Sequence, residues 1–290
     1  MSNHTEFSPV AAAVERTKND YLLVLEPPQG FGAVNWHELW QYRDLLYFLT
    51  WREVTVRYKQ TALGVLWAVL QPFLSMVVFT IFLGNLAKVP SDGVPYPVFS
   101  YLGLLPWAYF AGVVSRGGGS LVANANLLAK VYFPRVLLPL SATFAALVDF
   151  AIAFLVLLGM MYWYGLALTL TALLILPLIL VMALLATGIG LWLAALNTYY
   201  RDVQYALPFF IQLWMFVTPV VYPASLVPQH WQFLFALNPM SGLIEAYRAA
   251  MLGRPIDWFT LAVATGITGL CSVWGLRQFT RMERDFADVV

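Results

Sequence analysis

The sequence predicts an all-α polytopic membrane protein, on three observations. Of 290 residues, 61% are hydrophobic and 11% charged, and the mean hydropathy of +0.73 is far above what a soluble core needs. Six apolar runs are each long enough to cross about 30 Å of hydrocarbon, which takes about 20 helical residues at about 1.5 Å each. The runs do not alternate in polarity, so the backbone groups that hydrocarbon leaves open must close within helices rather than a barrel.

The runs extend from Ala62 to Gly84, Pro97 to Ser115, Val136 to Tyr164, Leu168 to Ala195, Gln204 to Tyr222 and Trp258 to Phe279. A six-helix domain is therefore expected over 62–279, with tails at 1–35 and 280–290. The opening MSNHTEFSPVAAAVERTKND lacks the charged start and apolar middle of a signal peptide, so the first span directs insertion. If both termini are cytoplasmic, the inside segments hold thirteen of the 16 Lys and Arg, and the outside segments only Lys88, Arg248 and Arg254. That asymmetry is what the positive-inside rule requires.

Ahead of the first run, residues 36–61 read as an amphipathic helix on the membrane interface. Asn35 can cap it, with Glu38 three residues on, and Leu39, Tyr42, Leu46 and Leu49 recur at helical spacing. Trp36, Trp40 and Trp51 suit the headgroup level, and Arg52, Arg57 and Lys59 can meet anionic lipid. The helix either anchors the chain or also meets a cytoplasmic partner.

The connection over 116–135 carries a short helical pattern, with Leu121, Ala125 and Leu128 on one side and Asn124, Asn126 and Lys130 on the other. Gly117 to Gly119 read as a turn at a helix end, because no Gly-Lys-Ser/Thr follows to make a phosphate loop. Any ATP used is thus bound by another chain. Pro72, Pro106 and Pro177 each remove a helical backbone bond and are expected to bend their helices. Cys271 is the only cysteine, and His4, His37 and His230 are scattered, so neither a disulfide framework nor metal-ligand spacing exists. No cofactor is expected in this chain.

The segment SLVPQHWQFLFALNPMSGLIEAYRAAML, 225–252, is too apolar for a soluble loop, yet Pro228 and Asn238-Pro239 break it before it could span. Pro239 can start a second half-helix, and Glu245 and Arg248 lie one turn apart in the favourable acid-first order. They read as a self-neutralising pair that positions the segment, with direct contact to a ligand as the alternative. Asp149 lies about 13 residues into the third run, where an isolated charge costs at least ~2.5 kcal/mol. With no second acid or histidine in another run to form a proton relay, a structural hydrogen bond is expected, and Asp149→Asn is expected to retain function.

Aromatic residues make up 16% of the chain, more than interface belts use. Trp67, Phe73, Phe79, Phe209, Phe210, Trp214, Phe216 and Tyr222 fall within or at the ends of the first and fifth runs. They can line a passage whose cargo slides on them without deep binding minima, or they can pack helices.

WREVTVRYKQTALGVLWAVLQP, NLLAKVYFPRVLLPL, NTYYRDV and NPMSGLIEAYRAAMLG resemble, in order, the permease subunits of type-2 ABC exporters, and more narrowly those that export O-antigen and related surface polysaccharides. The resemblance implies a homodimeric pore driven by two copies of a separate ATPase, which carries ATP and Mg. It implies that Ser120 to Lys130, including Asn124 and Asn126, couples to that ATPase and that the first and fifth helices wall the channel. It also implies that the segment around Asn238, Pro239, Glu245 and Arg248 is a re-entrant gate on the outer side of a bacterial inner membrane. Lipid-linked polysaccharide is the implied cargo and membrane lipids the surroundings, with no nucleic acid. Teichoic acid, glycolipid or a small amphiphile are alternative cargoes. A glycan-modifying membrane enzyme would need an acid or base cluster that is not visible, and an ion-coupled carrier would transport without ATP.

Overall fold

The computed structural model describes residues 36–59 and 64–283. The expected tail over 1–35, the Asn35 cap, the first residues of the first span at Ala62 and the last residues, 284–290, lie outside them, as do the side chains of Trp36 to Glu38. Among the described residues the chain is helical, with no strand. In order the helices are α1 (Trp36–Gln41), α2 (Arg43–Lys59), α3 (Leu66–Phe79), α4 (Tyr96–Ala123), α5 (Ala125–Leu128), α6 (Leu137–Trp163), α7 (Ile175–Tyr199), α8 (Val203–Val217), α9 (Gln232–Leu237), α10 (Pro239–Leu252) and α11 (Trp258–Glu283). A π-helical stretch extends α3 over Thr80–Leu86, and a 3-10 turn over Leu170–Leu174 opens α7.

Five of these are long and apolar enough to cross a membrane: Leu66–Leu86, Tyr96–Ala123, Leu137–Trp163, Leu170–Tyr199 and Trp258–Glu283. They fall on five of the six expected runs. The run from Gln204 to Tyr222 differs: its helix, α8, has 15 residues, about 22 Å. It stops at Thr218, which is extended, with φ −98° and ψ 139°; the ring of Pro219 disfavours the helical region for the residue before it.

Three further expectations need correction. The expected single helix over 36–61 is broken at Tyr42 into α1 and α2. Gly117 to Gly119 do not end a helix but lie inside α4, which is 28 residues long. There Gly118 sits at a close helix contact, where a Cβ would lie 3.2 Å from Leu193 Cβ; a Cβ on Gly117 would lie in ordinary contact, 3.6 Å from Gly190 Cα, and one on Gly119 would meet nothing within 4 Å. The connection after α4 is correspondingly short, and its helix α5 covers only four residues. Pro177 stands in the first turn of α7, where a missing N–H breaks no helical bond; Pro72 and Pro106 are internal, and so is Pro208 of α8.

The packed centre consists of α4 with α6, α7 and α10. Most of α4 is buried, α3 buries only Pro72 and Met76, and α8 buries none of its residues. At one end, Leu49 of α2 joins Leu121, Phe133, Leu137, Leu138, Ala194 and Phe279 in a second apolar cluster, with Leu39, Tyr42 and Leu46 against it. The expected stripe therefore faces protein. This end, which carries α5, is called the loop end, and the opposite one, which carries α9 and α10, the hairpin end. Asp257 caps α11 at the hairpin end, and its hydrogen bonds from Thr260 and Phe259 lower its pKa.

Candidate functional site

At the loop end, side chains from three helices meet on one carboxylate. Arg57 of α2 donates to Asp149 Oδ2 and Tyr58 to Asp149 Oδ1. Arg116 of α4 approaches Asp149 Oδ2 at 3.5 Å, and Glu53 lies 3.8 Å from Arg57. Two guanidiniums and two carboxylates make a formally neutral group whose side chains are all between a fifth and a third exposed. Arg116 folds back along its own helix, as helical side chains tend to, and Gly112 makes the room, since a Cβ there would lie 2.8 Å from Arg116 Nη2. Burial first, and then the bond to Asp149, raise the Tyr58 pKa to about 12, so the phenol stays a proton donor.

Sequence reasoning singled out Asp149 and missed these partners. Arg116 was read as a loop residue, and Glu53, Arg57 and Tyr58 lie more than 90 residues before Asp149. The acid-basic-aromatic run Glu53-Val54-Thr55-Val56-Arg57-Tyr58, next to a span holding a lone acid, was the available signal.

Lower on α2, Arg52 donates to Asn124 Oδ1, and Asn124 in turn donates to Ser120 O at 2.8 Å. Arg52 and Arg57 thus meet protein groups. Asn126 and Lys130 are exposed, and Asn124 is half-buried. Ser120 is buried inside α4, with its hydroxyl on Gly117 O at 2.7 Å, and takes no part in the loop surface.

At the hairpin end, Asn238 separates α9 from α10. Its Oδ1 accepts from Met240 N at 3.2 Å, capping the helix that Pro239 begins, and from Trp214 Nε1 at 3.1 Å. Its Nδ2 donates to Thr218 Oγ1 at 2.8 Å. One amide thereby ties the end of α8 to the corner between α9 and α10. Gly253, at φ 65°, ends α10 in the left-handed conformation that glycine adopts without strain.

Arg248 is the most heavily used residue there. It is 4% exposed; its Nη1 donates to Pro219 O at 2.8 Å and Glu245 Oε1 at 3.1 Å, and its Nη2 donates to Val220 O. The guanidinium lies 4.0 Å over the Phe99 ring. Tyr96 donates to Val221 O at 2.7 Å. Carbonyls that lose helical partners after Val217 are therefore satisfied by side chains of α10 and α4. The expected Glu245–Arg248 pair exists, but it is the smaller part of what Arg248 does.

The eight aromatic candidates divide in two. Trp67, Phe73, Phe209, Phe210 and Phe216 are exposed. Phe79 packs against the core, and Tyr222 donates to Phe216 O at 2.9 Å. Trp214 sits edge-on to Phe110 and Trp107 at 5.1 and 6.4 Å between ring centres. Exposed rings thus project from α3 and from α8, which among the described residues bury only Pro72 and Met76 and no residue, respectively.

Residues 44–252 match the model of the ABC-2 type transporter family. The chain belongs to that family. This ABC-2 type chain is 31% identical over 257 residues to the O-antigen export system permease protein RfbA of Myxococcus xanthus, covering 87% of this chain and 98% of that protein. It is 29% identical over 252 residues to the protein of the same name from Klebsiella pneumoniae, covering 85% and 95%. To the polysialic acid transport protein KpsM of Escherichia coli it is 28% identical over 214 residues, covering 69% and 78%. The match includes α2 through α10, and with them the charged cluster, Asn238 and Arg248. Membership places the chain among multi-pass membrane transporters of ABC exporters rather than among enzymes.

Proposed function

We propose that this chain is the membrane subunit of an ATP-driven exporter that moves a lipid-linked, O-antigen-like polysaccharide from the cytoplasm to the outer face of a bacterial inner membrane. Two copies form the passage, and two copies of a separate ATP-binding subunit, which carries ATP and Mg, drive it. Both termini are cytoplasmic, so the loop end faces the cytoplasm, where Asn126 and Lys130 with the half-buried Asn124 receive the ATP-binding subunit. α2 rests on the bundle as the interface helix, and its exposed Trp40, Tyr47, Phe48 and Trp51 meet the headgroup region, where amphipathic rings sit well.

α8 is the sixth crossing in this reading. Its helix alone is too short for about 30 Å of hydrocarbon, but Thr218 to Val221 are buried, and their carbonyls are bonded by Arg248 and Tyr96. Irregular backbone is tolerated at membrane depth under that condition. The same condition lets α9 and α10 enter from the outer side and return as a re-entrant gate around Asn238 and Pro239.

The observation that carries the proposal is the set of exposed rings on α3 and α8, helices that bury two residues and none. A second copy brought against them encloses a passage lined by Trp67, Phe73, Phe209, Phe210 and Phe216. Ring faces suit the C–H surfaces of sugars and hold them weakly enough to release. In the complex with its ATP-binding subunit, alanine at Trp67 or Phe210 is expected to lower polysaccharide export about three- to tenfold, the rate equivalent of losing one aromatic contact of ~0.5–1.5 kcal/mol. Dimer and ATP-binding subunit should stay bound. Unchanged export by both variants removes these residues from the passage. Co-purification with the ATP-binding subunit, followed by ATP hydrolysis assays with extracted lipid-linked glycan, tests the exporter itself; teichoic acid or a small amphiphile stimulating in its place would redirect the cargo assignment.

A further inference from the structure

α11 turns Ala264, Thr268, Gly275 and Phe279 inward. On its opposite face lies a groove of about 780 Å³, floored by Gly266 and Gly269, walled by Leu270, Val273 and Trp274, and with Arg277 at one end. A Cβ at either glycine would meet nothing within 4 Å, whereas Leu270 and Trp274 project into the surroundings. Trp192 of α7 steadies Trp274, with ring centres 4.9 Å apart. The Thr265 hydroxyl at the far end is already bonded to Leu261 O at 2.8 Å. The groove is therefore apolar along its length and changes character only at Arg277.

The charge at that end is unmatched. Arg277 and Arg281 stand one turn apart on the same side of α11, a spacing at which like charges destabilise a helix. Both are exposed, and among the described residues neither side chain has an ion-pair or hydrogen-bond partner. Arg57, Arg116 and Arg248, by contrast, each face a carboxylate. The depth also fits a lipid. Trp258, where α11 begins, lies about 28 Å along the helix from Arg277, close to the roughly 30 Å of the hydrocarbon core. Arg277 thus reaches the headgroups at the loop end, where Phe279 packs in the cluster with Leu49. From Arg277 back to Thr265 the groove runs about 18 Å, slightly more than one leaflet's share of about 15 Å.

We propose that this face binds one anionic phospholipid of the loop-end leaflet, with its phosphate between Arg277 and Arg281 and one acyl chain in the groove. Guanidinium forks match phosphate oxygens, and cations at this depth attract anionic lipid. A free phosphate would satisfy the arginines and leave the groove empty. A neutral lipid would fill the groove and leave the arginines unmatched. Only a ligand with both parts answers both features. The site requires a bilayer around α11 and nothing of the exporter reading.

The test titrates the purified full-length protein, stripped of native lipid in detergent, with phosphatidylglycerol and reads bound lipid per chain and oligomeric mass by native mass spectrometry. One phosphatidylglycerol per chain should bind saturably. Arg277→Gln and Arg281→Gln should each weaken binding about fivefold, and together about 25-fold, the loss of one cation–headgroup attraction apiece. Gly269→Leu, which fills the groove and spares both arginines, should weaken it at least as much as either; Gly266→Leu replaces it if that variant aggregates. Phosphatidylcholine should bind more weakly than phosphatidylglycerol, and glycerol phosphate should not compete. Binding that does not saturate, equal retention of phosphatidylcholine, competition by glycerol phosphate, or full binding by the arginine variants or by a monodisperse glycine variant overturns the inference. So does a Gly269→Leu protein that loses oligomeric mass while keeping its lipid, because a second copy then covers this face. If both glycine variants aggregate, the arginine variants and the phosphatidylcholine comparison decide.

Discussion

Replacing Arg248 with methionine is expected to cost more than about 3 kcal/mol, the range for removing one partner of a buried charged group, and to lower both the thermal midpoint and the yield of monodisperse protein. Methionine retains much of the length and apolar bulk of arginine, so the loss isolates the guanidinium. Without it the carbonyls of Pro219 and Val220 have lost their donor in a segment that is fully buried. Each such orphan costs ~1–3 kcal/mol. Glu245 loses its partner and Phe99 its cation as well.

Lysine at this position is a sharper probe. It keeps the positive charge but cannot present a planar fork to two successive carbonyls, so thermal unfolding of Arg248→Lys should fall between the parent and Arg248→Met. If lysine behaves like the parent, charge pairing with Glu245 is the main role and the carbonyl contacts are incidental. If methionine behaves like the parent, neither matters, and the broken backbone after Val217 must be held by other means.

Which features could be read from the chain follows from the range over which each is determined. A long apolar run needs no distant partner to become a helix in hydrocarbon, so α3, α4, α6, α7 and α11 fall where hydropathy places them. The cap on α10 is equally local: Asn238, Pro239 and Gly253 act within one turn of where they stand. The glycines at 117–119 show the opposite case. By local preference they mark a turn, and only the close approach of Leu193, far later in the chain, accounts for glycine at 118 inside α4.

Arg116 was misplaced for the same reason, since ending α4 early puts it in a loop and hides it from Asp149. Trp214 could not be sorted between lining and packing by periodicity, because its decisive contact is a hydrogen bond to Asn238, in a different helix–helix corner. Pro219 carries a local signal that hydropathy passed over, since its ring disfavours a helical Thr218, but Pro72, Pro106 and Pro208 stand inside helices, so that signal alone does not fix the end of α8.

Alanine at Gly275 is expected to prevent α11 from docking on α7. A Cβ there would lie 2.0 Å from Gly188 O and 2.7 Å from Gly188 C, and one at Gly188 would lie 2.5 Å from Ser272 Cα. These atoms are backbone and cannot swing aside, so the helices must move apart along a contact that also carries the hydrogen bond from Ser272 to Leu184 O, at 2.9 Å, and the Trp192–Trp274 pair, 4.9 Å between centres. Small residues at crossings supply the close packing that holds membrane helices together when lipid is as apolar as they are. Forcing one methyl into such a contact costs ~1–3 kcal/mol, against a helix-propensity gain from glycine to alanine of up to ~1 kcal/mol. The opposing signs make the control decisive. Gly266 and Gly269 lie on the same helix with nothing within 4 Å of a Cβ, so alanine there should leave the thermal midpoint of the purified protein unchanged or slightly raised. A Gly275→Ala protein that melts with Gly266→Ala would show that α7 and α11 do not meet as closely as these distances require.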